Sequence, residues 1–136
     1  MVVVLLVLLS GLLGILPIFG NGTTVVNGDI DVLLTACNAF PVTVPAGGPP
    51  TLQGSFEVLG GASNQVQVLV MSASTYGSFK SSCGVVAGSG PGFLYVSGKV
   101  NSGSFSVQLP GGATYYVVYN NPQLYNNVVQ TKVTLG

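Results

Sequence analysis

Residues 52–70 read LQGSFEVLGGASNQVQVLV, and the order of apolar and polar side chains in that stretch decides the fold. Leu52, Gly54, Phe56 and Val58 fall on one side of an extended chain, with Gln53, Ser55 and Glu57 on the other. Val66, Val68 and Val70 repeat the alternation further on. A period of two marks a strand with one face buried. The Gly60-Gly61 pair between the two runs predicts a tight hairpin turn.

The same pattern extends in both directions. Ile30, Val32 and Leu34 share one face of the stretch Asp29–Leu34, and Phe40, Val42 and Val44 continue it beyond Cys37. The Pro- and Gly-rich stretch 45–50 forces a turn. Leu94–Val100 and Ser104–Leu109 read as strands, Pro110-Gly111-Gly112 turns the chain into Thr114–Tyr119, and Val128–Leu135 closes it. Tyr76 and Phe79, three apart within 72–80, suggest one short helical turn, and 84–92 reads as a surface loop tied back through Cys83. The expected fold class is mainly β: an antiparallel β-sandwich of seven or eight strands over residues 21–136, preceded by one N-terminal hydrophobic α-helix over residues 1–20.

Composition narrows the chemistry. The 136 residues suit one domain with a real core, yet they carry only three Lys, no Arg, no His and three carboxylates, for zero net charge. Soluble domains average about 25% charged residues. A chain this poor in cations builds no nucleic-acid surface. Without imidazole it offers no Ser-His-Asp or Cys-His arrangement, and its Ser and Thr hydroxyls have no evident activating base, so no catalytic residue and no cofactor is expected. Asp29 and Asp31, on one strand face, could join a Ca²⁺ site if other oxygens converged there; the competing reading is a solvated outer face. The clustered Tyr115, Tyr116 and Tyr119 could stack on sugar rings; alternation sends Tyr115 and Tyr119 to one face and Tyr116 to the other, and the competing reading makes one face core and the other a contact between subunits. Cys37 and Cys83 stand 46 positions apart, too far for a redox or zinc motif, and a structural disulfide is expected. Closing such a loop contributes about 4 kcal/mol in the chain-entropy model and belongs to an oxidising compartment.

Residues 1–19, MVVVLLVLLSGLLGILPIF, form an uncharged apolar run. As a helix it would measure about 28 Å, close to the hydrocarbon thickness of a bilayer. Three readings stand: a signal peptide, a membrane anchor, or a helix buried among copies of the chain. The first lacks a positively charged start and an Ala-x-Ala site. For the third, Val4, Leu5, Leu8, Leu12 and Ile15 supply apolar contact while Ser10 and Gly14 allow close approach. Asn21-Gly22-Thr23 is a single N-glycosylation triplet.

An apolar helix leading directly into a Gly-, Ser-, Thr- and Asn-rich β domain resembles the archaeal type IV pilins and related filament subunits. Leu5 stands where bacterial pilins carry Glu, which points away from the bacterial members. The resemblance implies a homopolymer: an extracellular, cell-surface filament with residues 1–19 in its core, in contact with a membrane only before assembly, serving adhesion to a surface or glycan. The alternative is a secreted or tethered β-sandwich binding module, with residues 1–20 as signal or anchor. Residues 103–121 followed by 128–135, a strand, a Gly turn, a Tyr-rich strand and a last strand, resemble the closing meander of secreted pre-peptidase C-terminal and GOLD-like sandwich modules. That likeness implies fold and an extracytoplasmic location, and brings no site with it.

Overall fold

A computed structural model of the chain describes residues 23–34, 36–47, 50–61, 63–80, 83 and 92–136. The expected N-terminal helix, with Val4, Leu5, Leu8, Ser10, Leu12, Gly14 and Ile15, lies outside the described residues, as do the Asn21 triplet and most of the 84–92 loop.

Eight strands and one short helix follow in order: β1 (Thr23–Val32), β2 (Cys37–Val44), β3 (Thr51–Val58), β4 (Gln67–Ser72), α1 (Ala73–Phe79), β5 (Phe93–Val96), β6 (Ser102–Gln108), β7 (Ala113–Asn120) and β8 (Asn127–Leu135). They make two four-stranded antiparallel sheets, β1-β8-β3-β6 and β2-β7-β4-β5. The pairs β1·β8, β2·β7, β3·β6 and β4·β5 describe one long ribbon doubled near α1 and wrapped into two layers. That winding is the eight-stranded jelly roll.

This topology corrects two expectations. β3 and β4 do not form a hairpin, because Gly60 and Gly61, at φ 97° and 133°, turn the chain from one sheet to the other. β6, β7 and β8 are not a meander either: each crosses to the opposite sheet, and among the described residues β4 and β5 are the only consecutive strands that pair. A sandwich buries the same alternate side chains whether the next strand lies beside or opposite, so alternation alone does not distinguish the two arrangements. The first strand also differs, starting at Thr23 and ending at Val32, with Leu34 beyond it and exposed.

Between the sheets lie Leu52, Phe56 and Val58 of β3, Val68 and Val70 of β4, Val117 and Tyr119 of β7, and Val129 and Val133 of β8. Two reciprocal cross-strand pairs fit β3 to β6. Gly54 faces Phe105, and Gly103 faces Phe56. A Cβ at Gly54 would collide with the Phe105 ring, and one at Gly103 would sit 2.8 Å from Phe56 Cζ. The rings lie where those glycines leave room. From the opposite sheet, the Tyr119 hydroxyl lies 2.7 Å from Thr131 Oγ1, which donates to the Ser55 carbonyl at 2.9 Å. Thr131 therefore accepts from Tyr119, and a chain of hydrogen bonds ties the two layers together.

A second, smaller core covers the outside of the β2-β7-β4-β5 sheet. Leu69, Met71 and Val118 point outward there, under Phe79 of α1. Ser72 caps the helix by accepting from the Thr75 backbone N–H. Tyr76 stacks on Tyr116 at 4.2 Å between ring centroids. Of the two tyrosine faces, Tyr115 and Tyr119 lie in the main core, and Tyr116 forms a floor for α1. Cys37 and Cys83 are bonded, with Cα atoms 5.8 Å apart, and Asn120 Nδ2 donates to the Cys83 carbonyl at 2.6 Å.

Candidate functional site

The winding sorts the connections into two poles. At one, β1 begins with Thr23 opposite Leu135, and residues 109–112 turn beside Val44 and Pro50. At the other lie the described residues 33–34, 36, 59–61, 63–66, 97–101 and 121–126. Backbone hydrogen bonds gather them: Leu59 N–H to the Val128 carbonyl at 2.9 Å, and Val58 N–H to the Asn101 carbonyl at 2.8 Å.

Amide side chains fix this loop pole from within. Asn121 is buried and donates to the carbonyls of Val32 (3.0 Å) and Tyr125 (2.6 Å), while its Oδ1 accepts from the Gln123 N–H. Gln123 Oε1 accepts from the Gln65 N–H at 2.7 Å. Buried Asn127 presents Nδ2 to the Gln65 carbonyl, Asn121 Oδ1 and Gln123 Oε1 at 2.9–3.2 Å, and its own Oδ1 has no protein partner among the described residues. Asn126 Oδ1 accepts from the Leu34 N–H, and the Tyr125 hydroxyl donates to Asn64 Oδ1. Asn101 Nδ2 lies within 2.8–3.3 Å of the carbonyls of Val58, Gly61 and Asn64. Loops positioned by amides have no need to turn their apolar side chains inward.

Those side chains face solvent. Leu33, Leu34, Leu59, Leu124, Tyr125 and Val128 are the exposed large hydrophobics of the described residues, and all six sit at this pole. Leu124 is 85% exposed and Leu33 53%. Single exposed leucines are ordinary, whereas several at one end of the sandwich make that end a candidate contact surface. Two charges stand nearby, Asp31 at the end of β1 and Lys99 in the 97–101 turn.

The outer face of the β1-β8-β3-β6 sheet is different in kind. Asn27, Ser55, Glu57, Ser104, Gln130 and Lys132 line an open depression of about 680 Å³. Among these outward side chains no aromatic ring offers a sugar a stacking face. Asp29 and Asp31 lie on this solvated side, and no third metal-binding residue of the His, Cys, Asp or Glu type joins them among the described residues. Two tyrosine hydroxyls are shifted by burial: that of half-buried Tyr95 is raised above its ordinary value, and that of buried Tyr119 is pushed up to about 12, the Thr131 hydrogen bond opposing it in part.

The sequence reading missed the loop pole. Its signals are Leu33-Leu34, which breaks the alternation as β1 ends, and Leu124-Tyr125, an apolar pair inside a segment of Asn, Pro and Gln.

No family model matches the sequence, and no curated protein matches it. Among solved structures, the chain is similar to the K3 cleaved adhesin domain of Lys-gingipain from Porphyromonas gingivalis, at 14% identity and a TM-score of 0.43, over 72% of this chain. It spans 63% of that domain, less than two thirds of its length. A fit this loose assigns no role to any residue here. No helix among the described residues is long and apolar enough to cross a membrane.

Proposed function

We propose that the protein is an extracytoplasmic binding module, held through its Thr23 pole and making contact with its loop pole. The observation that carries this is that, among the described residues, the exposed large hydrophobics all lie at the pole opposite Thr23. The apolar run ahead of Thr23 supplies a tether on one side, and the leucine-bearing loops face away from it. The Cys37–Cys83 bond supports a location outside the cytosol. The contact is apolar in kind, of the sort that suits protein or another hydrophobic surface better than sugar.

Assembly into an adhesive surface filament is the finer form of this reading. Its support lies in the charge-free residues 1–19 and in a surface with too few ions to repel its own copies.

The test uses the chain immobilised through its N-terminal side, so that the apolar run is occupied and the loop pole is free. Octyl-coated particles should bind it, hydroxyl-coated particles should not, and Leu33→Asn with Leu124→Asn should lower octyl binding about tenfold, an effect on the order of 1.4 kcal/mol. Equal binding by the variant would remove the reading.

A further inference from the structure

We infer that the loop pole of one copy receives residues 1–19 of the next, so that the chain polymerises head to tail. This rests on the reading of the loop pole as the contact surface and names its partner.

Position gives the first argument. β1 begins with Thr23 at the pole opposite the loops, and residues 1–22 are joined to it there. Extended, they reach roughly 70 Å; as a helix, roughly 33 Å. The ten residues of β1 span about 33 Å between the two poles. A copy stacked pole to pole on another therefore brings its apolar run to the neighbour's loops.

Composition gives the second. Residues 1–19 carry no charge, so entering an apolar surface desolvates no ion. The receiving loops offer Leu33, Leu34, Leu59 and Leu124, with the Asn121 amide beneath them already hydrogen-bonded. Each copy owns one apolar run and one apolar pole, and a single contact hides both. Burying large aliphatic side chains in this way is worth roughly 1.5–3 kcal/mol apiece.

Symmetry gives the third. The two surfaces are different and lie at opposite ends, so the contact is heterologous and does not close on itself. It builds a linear chain. A second copy is the committed occupant because it alone is present at one run per pole. A core bundled from the apolar runs leaves the leucines of the loop pole uncovered.

The experiment takes the full chain with a benzophenone amino acid in place of Leu8, assembled from a mixture of ordinary and ¹⁵N-labelled copies. Cross-links between light and heavy copies should join position 8 to peptides containing 33–34, 59 or 124–125. Cross-links from position 8 to residues 1–19 of another copy, or only within one copy, would overturn the proposal. A second arm compares polymer size by sedimentation for Leu33→Asp with Leu124→Asp, checking the fold by thermal melting; Leu124 is 85% exposed, so its replacement disturbs little packing. Polymer mass should fall at least tenfold, and unchanged mass would overturn the proposal. If this variant loses adhesion to octyl particles but polymerises normally, head-to-tail assembly is wrong and the binding-module reading survives. If it alters neither, both fall.

Discussion

Tyr119 shows at the residue scale how the two sheets are held in register. Its ring fills the core, edge-on to Phe40 at 5.7 Å between centroids, and its hydroxyl crosses to Thr131 of the opposite sheet. Burial raises its ionisation to about 12, above the ordinary value near 10. The folded state holds the neutral phenol, so this stabilisation is complete below about pH 10 and is lost as pH climbs from 10 through 12, on the order of 2 kcal/mol. Tyr119→Phe should cost about 1 kcal/mol at neutral pH, from the lost hydrogen bond, and should flatten the alkaline decline. Urea unfolding at neutral pH and near pH 11.5 measures both, and equal alkaline slopes for the two proteins would contradict the assignment. The inward set Leu52, Gly54, Phe56 and Val58 was legible from alternation. That Gly54 makes room for Phe105 was not, because the ring comes from a strand some fifty positions away whose register no local pattern specifies.

At the scale of elements, the layer over the outer face of the β2-β7-β4-β5 sheet distinguishes this chain from a bare sandwich. β4 is buried on both faces from Gln67 to Met71, and the sequence records this as Val68-Leu69-Val70-Met71, an unbroken apolar run where a half-exposed strand would alternate. The short helix was legible from Tyr76 and Phe79. The face it covers was not, since nothing near 73–79 identifies Leu69, Met71 and Val118 as its partners. The disulfide fastens this layer by joining Cys83, just past α1, to the start of β2. Reduction, or Cys37→Ser with Cys83→Ser, should lower stability by about 2–4 kcal/mol. The jelly roll should remain, because its main core includes neither cysteine. Thermal melting with and without reductant, followed by far-ultraviolet circular dichroism, checks this; loss of strand signal at room temperature after reduction would show that the outer layer is required for the fold.

The whole molecule has a polarity that no single strand reveals. Eight strands wound as a jelly roll place every second connection at the same end, so four separated segments meet at the loop pole. Sequence showed the faces of the strands and the turns between them. It could not show which turns share an end, because that depends on crossing between sheets, and so Leu33, Leu59 and Leu124 did not read as neighbours. The polar outer face of the β1-β8-β3-β6 sheet and the second core over its partner leave this pole as the apolar surface that faces solvent. That pole is the proposed surface of contact. Amide hydrogen exchange of the chain immobilised through its N-terminal side, with and without octyl-coated particles, measures this most directly. Exchange should slow in peptides covering 33–36, 59–65 and 121–126 and stay unchanged in β3 and β6. Slowing spread along the outer face of β1, β8, β3 and β6, with the loop peptides unaffected, would contradict it.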